Sequence, residues 1–203
     1  MGNFKYKYDI TLIMVEFKKY IKYIYPLLEQ KYVVEVLNNK KIERETLSIH
    51  DLTKYFDLIA IREGDVRLIK IMNKIKEEIF VEIKSVFNFN EPSIEVWYFR
   101  KTKNKNNVEK KIYKLINGQF YRIMYDINYL DCRNVKKIMK YKLWGEEGIL
   151  VIGGYNAYFI KNREVLDNFD KNIKPNLTEK TRVVYQNNKL ILAKVGNKVL
   201  ENE

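Results

Sequence analysis

Between residues 9 and 31, DITLIMVEFKKYIKYIYPLLEQK, apolar groups fall at Ile13, Phe17, Tyr20, Ile21, Ile24, Leu27 and Leu28. Steps of three or four predict a helix, with Asp9 as a plausible N-cap and Pro26 as a kink or stop. The periodicity then shortens. YVVEVL (32–37) and YFDLIAI (55–61) read as strands, separated by the polar stretch NNKKIERE and followed by a turn at REGD (62–65). Apolar positions 66, 69, 72, 75 and 79 suit a helix, while the β-branched residues among them suit a strand, so 66–78 fits both.

Residues 77–86, EEIFVEIKSV, read as a strand that buries Val81 and Ile83 and turns Glu82 and Lys84 to its other face. IEVWYF (94–99) and NGQFYRIMYDI (117–127) are further strands, with RKTKNKNNVEKK (100–111) a basic hairpin or mobile loop between them. DCRNVKKIMKYKLWG (131–145) reads as an amphipathic helix ended by Gly145, and GILVIGG (148–154) as a covered central strand. In the tail, Asn187-Asn188 between alternating segments signals a hairpin. Helices interleaved with strands predict an α/β fold with a central mixed sheet. No internal repeat and no Pro-, Gly- or Ser-rich linker divides the chain.

At 203 residues with 46% hydrophobic and 32% charged positions, the chain suits one folded domain with an appendage. A net charge of +12 favours a polyanionic partner, although a lysine-rich surface also serves solubility alone. A single cysteine, Cys132, excludes an internal disulfide or a cysteine-cluster zinc site. A single histidine, His50, leaves no material for a Ser-His-Asp triad or a His-based metal centre. The N-terminal apolar residues are broken by lysines, so neither a signal peptide nor a membrane span is read, and a cytoplasmic location is expected.

An acid beside a lysine on one strand face is useful for phosphodiester hydrolysis if a second carboxylate joins it around a divalent ion. Asp57 in FDLIAI and Asp65 in GDVRLI are the candidates, with Asp57 preferred for its context. An Asp opening an apolar strand, followed by VEIKS, resembles the PD-(D/E)XK nuclease superfamily. YFDLIAIREG with IFVEIKS looks most like the archaeal Holliday-junction resolvases and related small nucleases of archaeal viruses. Phe56 stands where that family usually has proline, and Glu82 lies 25 residues beyond Asp57 but 17 beyond Asp65.

The resemblance implies a restriction-endonuclease-like αβββαβ core over 1–160 and a C-terminal β extension over 161–203. It also implies a Mg²⁺- or Mn²⁺-dependent deoxyribonuclease. Asp57 or Asp65, Glu82 and the Ile83 carbonyl would hold the ion, and Glu16 of the first helix would hold a second. Lys84 would position the attacking water, and Ser85 would contact the phosphate. Branched or single-stranded DNA is the implied partner, a homodimer the implied assembly, and host cytoplasm the location if the protein is viral. Two other readings stand beside it: a non-catalytic basic DNA-binding protein on the same fold, and a viral or mobile-element adaptor.

Overall fold

The computed structural model describes residues 20, 23–37, 52–87, 89–101, 108–172 and 181–194. Its architecture is mixed α/β, with a central sheet flanked by helices. The described part of helix α1 (23–29) runs through Pro26 and buries Tyr20, Ile24 and Leu27, as the helical spacing predicts. Strand β1 (Val33–Val36) follows, then a short helix α2 (52–55) and the hairpin β2 (Leu58–Arg62) and β3 (Asp65–Met72). The doubtful segment 66–78 is therefore mostly strand. Glu16, His50 and the basic loop at 102–107 lie outside the described residues.

The segment 77–86 is helix α3 (Glu77–Val86), which corrects the strand reading. Two physical reasons account for it. Strands β3 and β4 (Ser93–Lys101) pair in parallel, and a parallel pair needs a crossover between its members. Ile79, Phe80, Ile83 and Phe87 also form a helical stripe that packs on Leu68, Met72, Ile94, Val96 and Leu115, leaving Val81 67% exposed. Glu77 and Glu78 in the first turn and Lys84 in the last suit the helix dipole.

The sheet continues through β5 (Val108–Ile116) and β6 (Gln119–Met124). Next, 131–145 is two strands rather than a helix: β7 (Leu130–Arg133) and β8 (Val135–Leu143), with Asn134 in the left-handed region between them. A β-bulge between Val135 and Lys137 explains the misreading. The extra residue shifts the phase of alternation, so the buried positions 135 and 138 fall at helical spacing. Strands β9 (Glu146–Gly153) and β10 (Asn156–Ile160) complete a nine-stranded sheet of order β1-β2-β3-β4-β5-β6-β10-β9-β8, and the apolar run of β9 is buried as expected.

Helix α4 (Arg163–Asn172) is capped by the Asn162 side chain, which accepts from the Val165 N–H at 3.0 Å. Strands β11 (Thr181–Gln186) and β12 (Lys189–Lys194) form the hairpin signalled by Asn187-Asn188, both at positive φ, as a type I′ turn requires. They join β7 in a second, three-stranded sheet, tied by a bidentate Arg182–Asp131 pair at 2.7 and 2.8 Å. Val165, Phe169, Val183 and Tyr185 share one hydrophobic cluster with Ile138, Ile149 and Val151 of the large sheet. At Gly153 a Cβ would collide with the Cys132 sulfur, so glycine admits β7 against β9. No described helix is long and apolar enough to cross a membrane.

The large sheet curls until its distant hairpin tips touch. Arg62, at the β2–β3 tip, donates to the Trp144 carbonyl at the β8–β9 tip, and to the Gln30 carbonyl beyond α1 at 3.0 Å. This clasp places side chains from β3, β4, β5 and the β8–β9 turn around one interior space.

Candidate functional site

Asp57 opens β2 and is buried; its backbone N–H donates to the Ile69 carbonyl at 2.9 Å. That register sets its carboxylate on the α3 side of the sheet beside Lys70 of β3, with Nζ–Oδ2 at 3.4 Å, and the Ile71 N–H donates to Oδ2 at 2.7 Å. Asp65 has the opposite parity on β3. It projects from the other face of the sheet, where it accepts from the Tyr32 hydroxyl.

Glu82 and Lys84 sit two apart on a helix, so they do not share a face. Glu82 is half exposed and pairs with Lys54 of α2 at 3.5 Å, whereas Lys84 reaches Gln119 of β6 at 3.3 Å. Ile83 is in the core, its carbonyl accepting from the Phe87 N–H, and the Ser85 hydroxyl bonds back to the Glu82 carbonyl. The described members of the expected set therefore do not converge. A divalent cation needs several oxygens around one point. Here Asp57 is held by an ammonium and an amide, and Glu82 and Asp65 point elsewhere. Among the described residues, no group of three or more His, Cys, Asp or Glu side chains is placed to hold a metal ion. The described donors, Asp57, Asp65, Glu82 and the Ile83 carbonyl, do not fit the implied magnesium or manganese.

A different cluster is built on the concave face. Glu95 of β4 is completely buried and accepts five hydrogen bonds: Arg67 Nε at 3.0 Å and its terminal NH2 nitrogen at 2.7 Å, Ser93 Oγ at 2.8 Å, and the indole N–H groups of Trp97 and Trp144, each at 2.7 Å. Burial alone would raise the Glu95 carboxyl. The Arg67 charge and hydrogen bonds, helped by Lys114 and Trp97, overcome this and hold it at about 2. Arg67 is 2% exposed and lies between the rings of Trp97 and Trp144, 5.3 and 4.5 Å from their centroids. Its burial opposes the charge, and Glu95 more than offsets that.

Trp144 reaches Glu95 from the far end of the curled sheet. It does so from a φ of 52°, unusual for a bulky residue, and is fixed there by its indole bond and by Arg62 on its carbonyl. Next to this network lies Lys114 of β5, 3% exposed, whose ammonium donates to Ser93 Oγ. Burial lowers its pKa, Glu95 partly restores it, and Arg67 lowers it again. Lys110, stacked 4.0 Å over Trp97, falls to about 8 through burial and then Arg67. Tyr32 rises to about 12 through burial and its bond to Asp65.

Above this floor opens a cavity of about 600 Å³. Lys114 and Ser93 form its base, Tyr141 and Trp144 its aromatic wall, and Arg62, Lys140 and Lys142 its cationic rim, with Asp65 and Glu91 as the acids. Burial, then Glu95, Glu91 and Asp65, raise the Tyr141 hydroxyl, keeping it a neutral donor. The walls thus offer cations for an anion and carboxylates for a hydrogen-bond donor. The buried residues Arg67, Ser93, Glu95 and Lys114 are not among those that the sequence motifs pick out for chemistry. The signals were a Glu and a Lys inside otherwise apolar strands, IEVWYF and IYKLI, where a buried charge demands a partner. Compared with models of protein families, with curated proteins and with solved structures, the chain matches none.

Proposed function

We propose that the protein is a basic nucleic-acid-binding protein that does not hydrolyse its ligand. The observation that carries this is the placement of positive charge. Edge strand β8, VKKIMKYKL, exposes Lys136, Lys137, Lys140 and Lys142, and the last two of these also line the cavity that Lys114 floors. A lysine track that leads from an outer edge into a cationic hollow suits a phosphate backbone, whose counterions it would release. Lysines on an edge strand also discourage sheet-to-sheet aggregation, but that role does not need charge inside a cavity.

With the short α2 interposed between β1 and β2, the order α1, β1, β2, β3, α3, β4 supports a PD-(D/E)XK-like reading of the first half. Against hydrolysis stands Lys70. It occupies the β3 position facing Asp57, where a two-carboxylate cation site would need an acid, and its ammonium neutralises Asp57 instead.

Anisotropy titrations of labelled single-stranded, duplex and four-way-junction DNA test the reading. Affinity should fall at least about tenfold between 50 and 200 mM salt, and further when Lys136 and Lys137 are changed to Glu. Supercoiled plasmid incubated with Mg²⁺ or Mn²⁺ should remain intact. Nicking that disappears in Lys84→Ala would replace this reading with the nuclease. No salt-sensitive binding at all would leave the adaptor.

A further inference from the structure

We infer that the cavity seats a single nucleotide bearing a terminal phosphate, with the phosphate on Lys114. Exposed lysines suffice for a diester backbone running over a surface. Lys114 is 3% exposed and cannot be reached that way. Only a group that enters the cavity meets its ammonium, which has three donors and spends one of them on Ser93. A phosphomonoester is small, strongly anionic and rich in acceptors, so it matches the two remaining donors and the rim cations Lys140 and Lys142.

The acids select beyond plain phosphate. Asp65 and Glu91 also line the space, and they would repel a bare oxyanion. A ribose hydroxyl or a base amino group would give them donors. Trp144 and Tyr141 offer ring surface to a base, and about 600 Å³ accommodates one nucleotide with water. A burial-depressed ammonium also gains most from an incoming anion, since the ligand restores the environment in which its charge is stable.

Two sources share this chemistry: the end of a strand and a free mononucleotide. The strand-end source rests on the nucleic-acid reading; the mononucleotide does not. Anisotropy with wild-type protein compares one oligonucleotide carrying a 5′-phosphate, a 3′-phosphate or hydroxyl ends, and thermal shift compares AMP with adenosine. The strand-end source predicts at least tenfold tighter binding of one phosphorylated oligonucleotide than of the hydroxyl form. The mononucleotide source predicts stabilisation by AMP but not by adenosine. In Lys114→Met either preference should vanish, while Lys84→Gln keeps it. Equal binding of all three oligonucleotides, with no difference between AMP and adenosine, overturns the inference even where salt-sensitive DNA binding persists. A nucleotide effect without any DNA binding would retain the pocket and overturn the nucleic-acid reading instead.

Discussion

The two faces of strand β3 carry opposite solutions to the problem of charge in a sheet. On the α3 side, Lys70 meets Asp57 in a partly buried pair, and the charges of α3 are spread over open surface. On the concave side, Arg67 meets Glu95 with both groups sealed from water and every acceptor position occupied. An isolated pair near solvent contributes about 1 kcal/mol or less, whereas a sealed pair holds only while both members and their hydrogen bonds are present. The difference teaches that charge on the outer face is held in separate pairs, whereas the inner charges meet in one network beside the cavity.

The severest way to break the contrast is to remove one member of the sealed pair. Glu95→Ala strands Arg67 in the core and should cost about 3–5 kcal/mol, lowering Tm on the order of 10 °C. The double change Glu95→Leu with Arg67→Met should recover much of this loss, read by thermal denaturation.

Acid provides the next test. The Glu95 carboxyl ionises at about 2 when folded against an ordinary 4.5. Its contribution is fully present above pH 4.5 and is lost as pH falls through about 2, because the unfolded chain binds the proton first. Stability should fall by about 3 kcal/mol across that window, and urea titrations of Glu95→Gln should show a flatter dependence.

A sharper probe asks whether Lys70 is what denies Asp57 a cation. Lys70→Glu should be destabilised by about 2 kcal/mol without metal, through like charge beside a buried carboxylate. Millimolar Mn²⁺ should then raise its Tm by about 3 °C and leave wild type unmoved. The smallest effect belongs to α3. Glu82→Gln and Lys84→Gln should each shift Tm by less than about 2 °C and change DNA affinity less than about twofold.

Local pattern was enough to read α1, β1, β4, the buried β9 and the β11–β12 hairpin. It misread α3 and the β7–β8 segment, each for a reason outside simple periodicity. EEIFVEIKSV alternates as well as any strand, and only the parallel pairing of β3 with β4 demands a helix there. VKKIMKYKL mimics a helix because one bulge resets its phase. The site suffered from the first error, since Glu82 and Lys84 share a face only on a strand. Asp57 was well placed at a strand start, but its partner Lys70 lay inside the ambiguous segment. Glu95 and Trp144 are 49 residues apart and meet only because the sheet curls, a closure that no window of sequence reports.

The fit of β7 against β9 has a practical consequence of its own. The chain's sole thiol is wedged where glycine alone leaves room, and burial, then Asp131, shift its ionisation upward. A thiol-directed dye must wait for the small sheet to lift away before it can react. The rate of that labelling times the breathing motion of the C-terminal third, with no engineered reporter required.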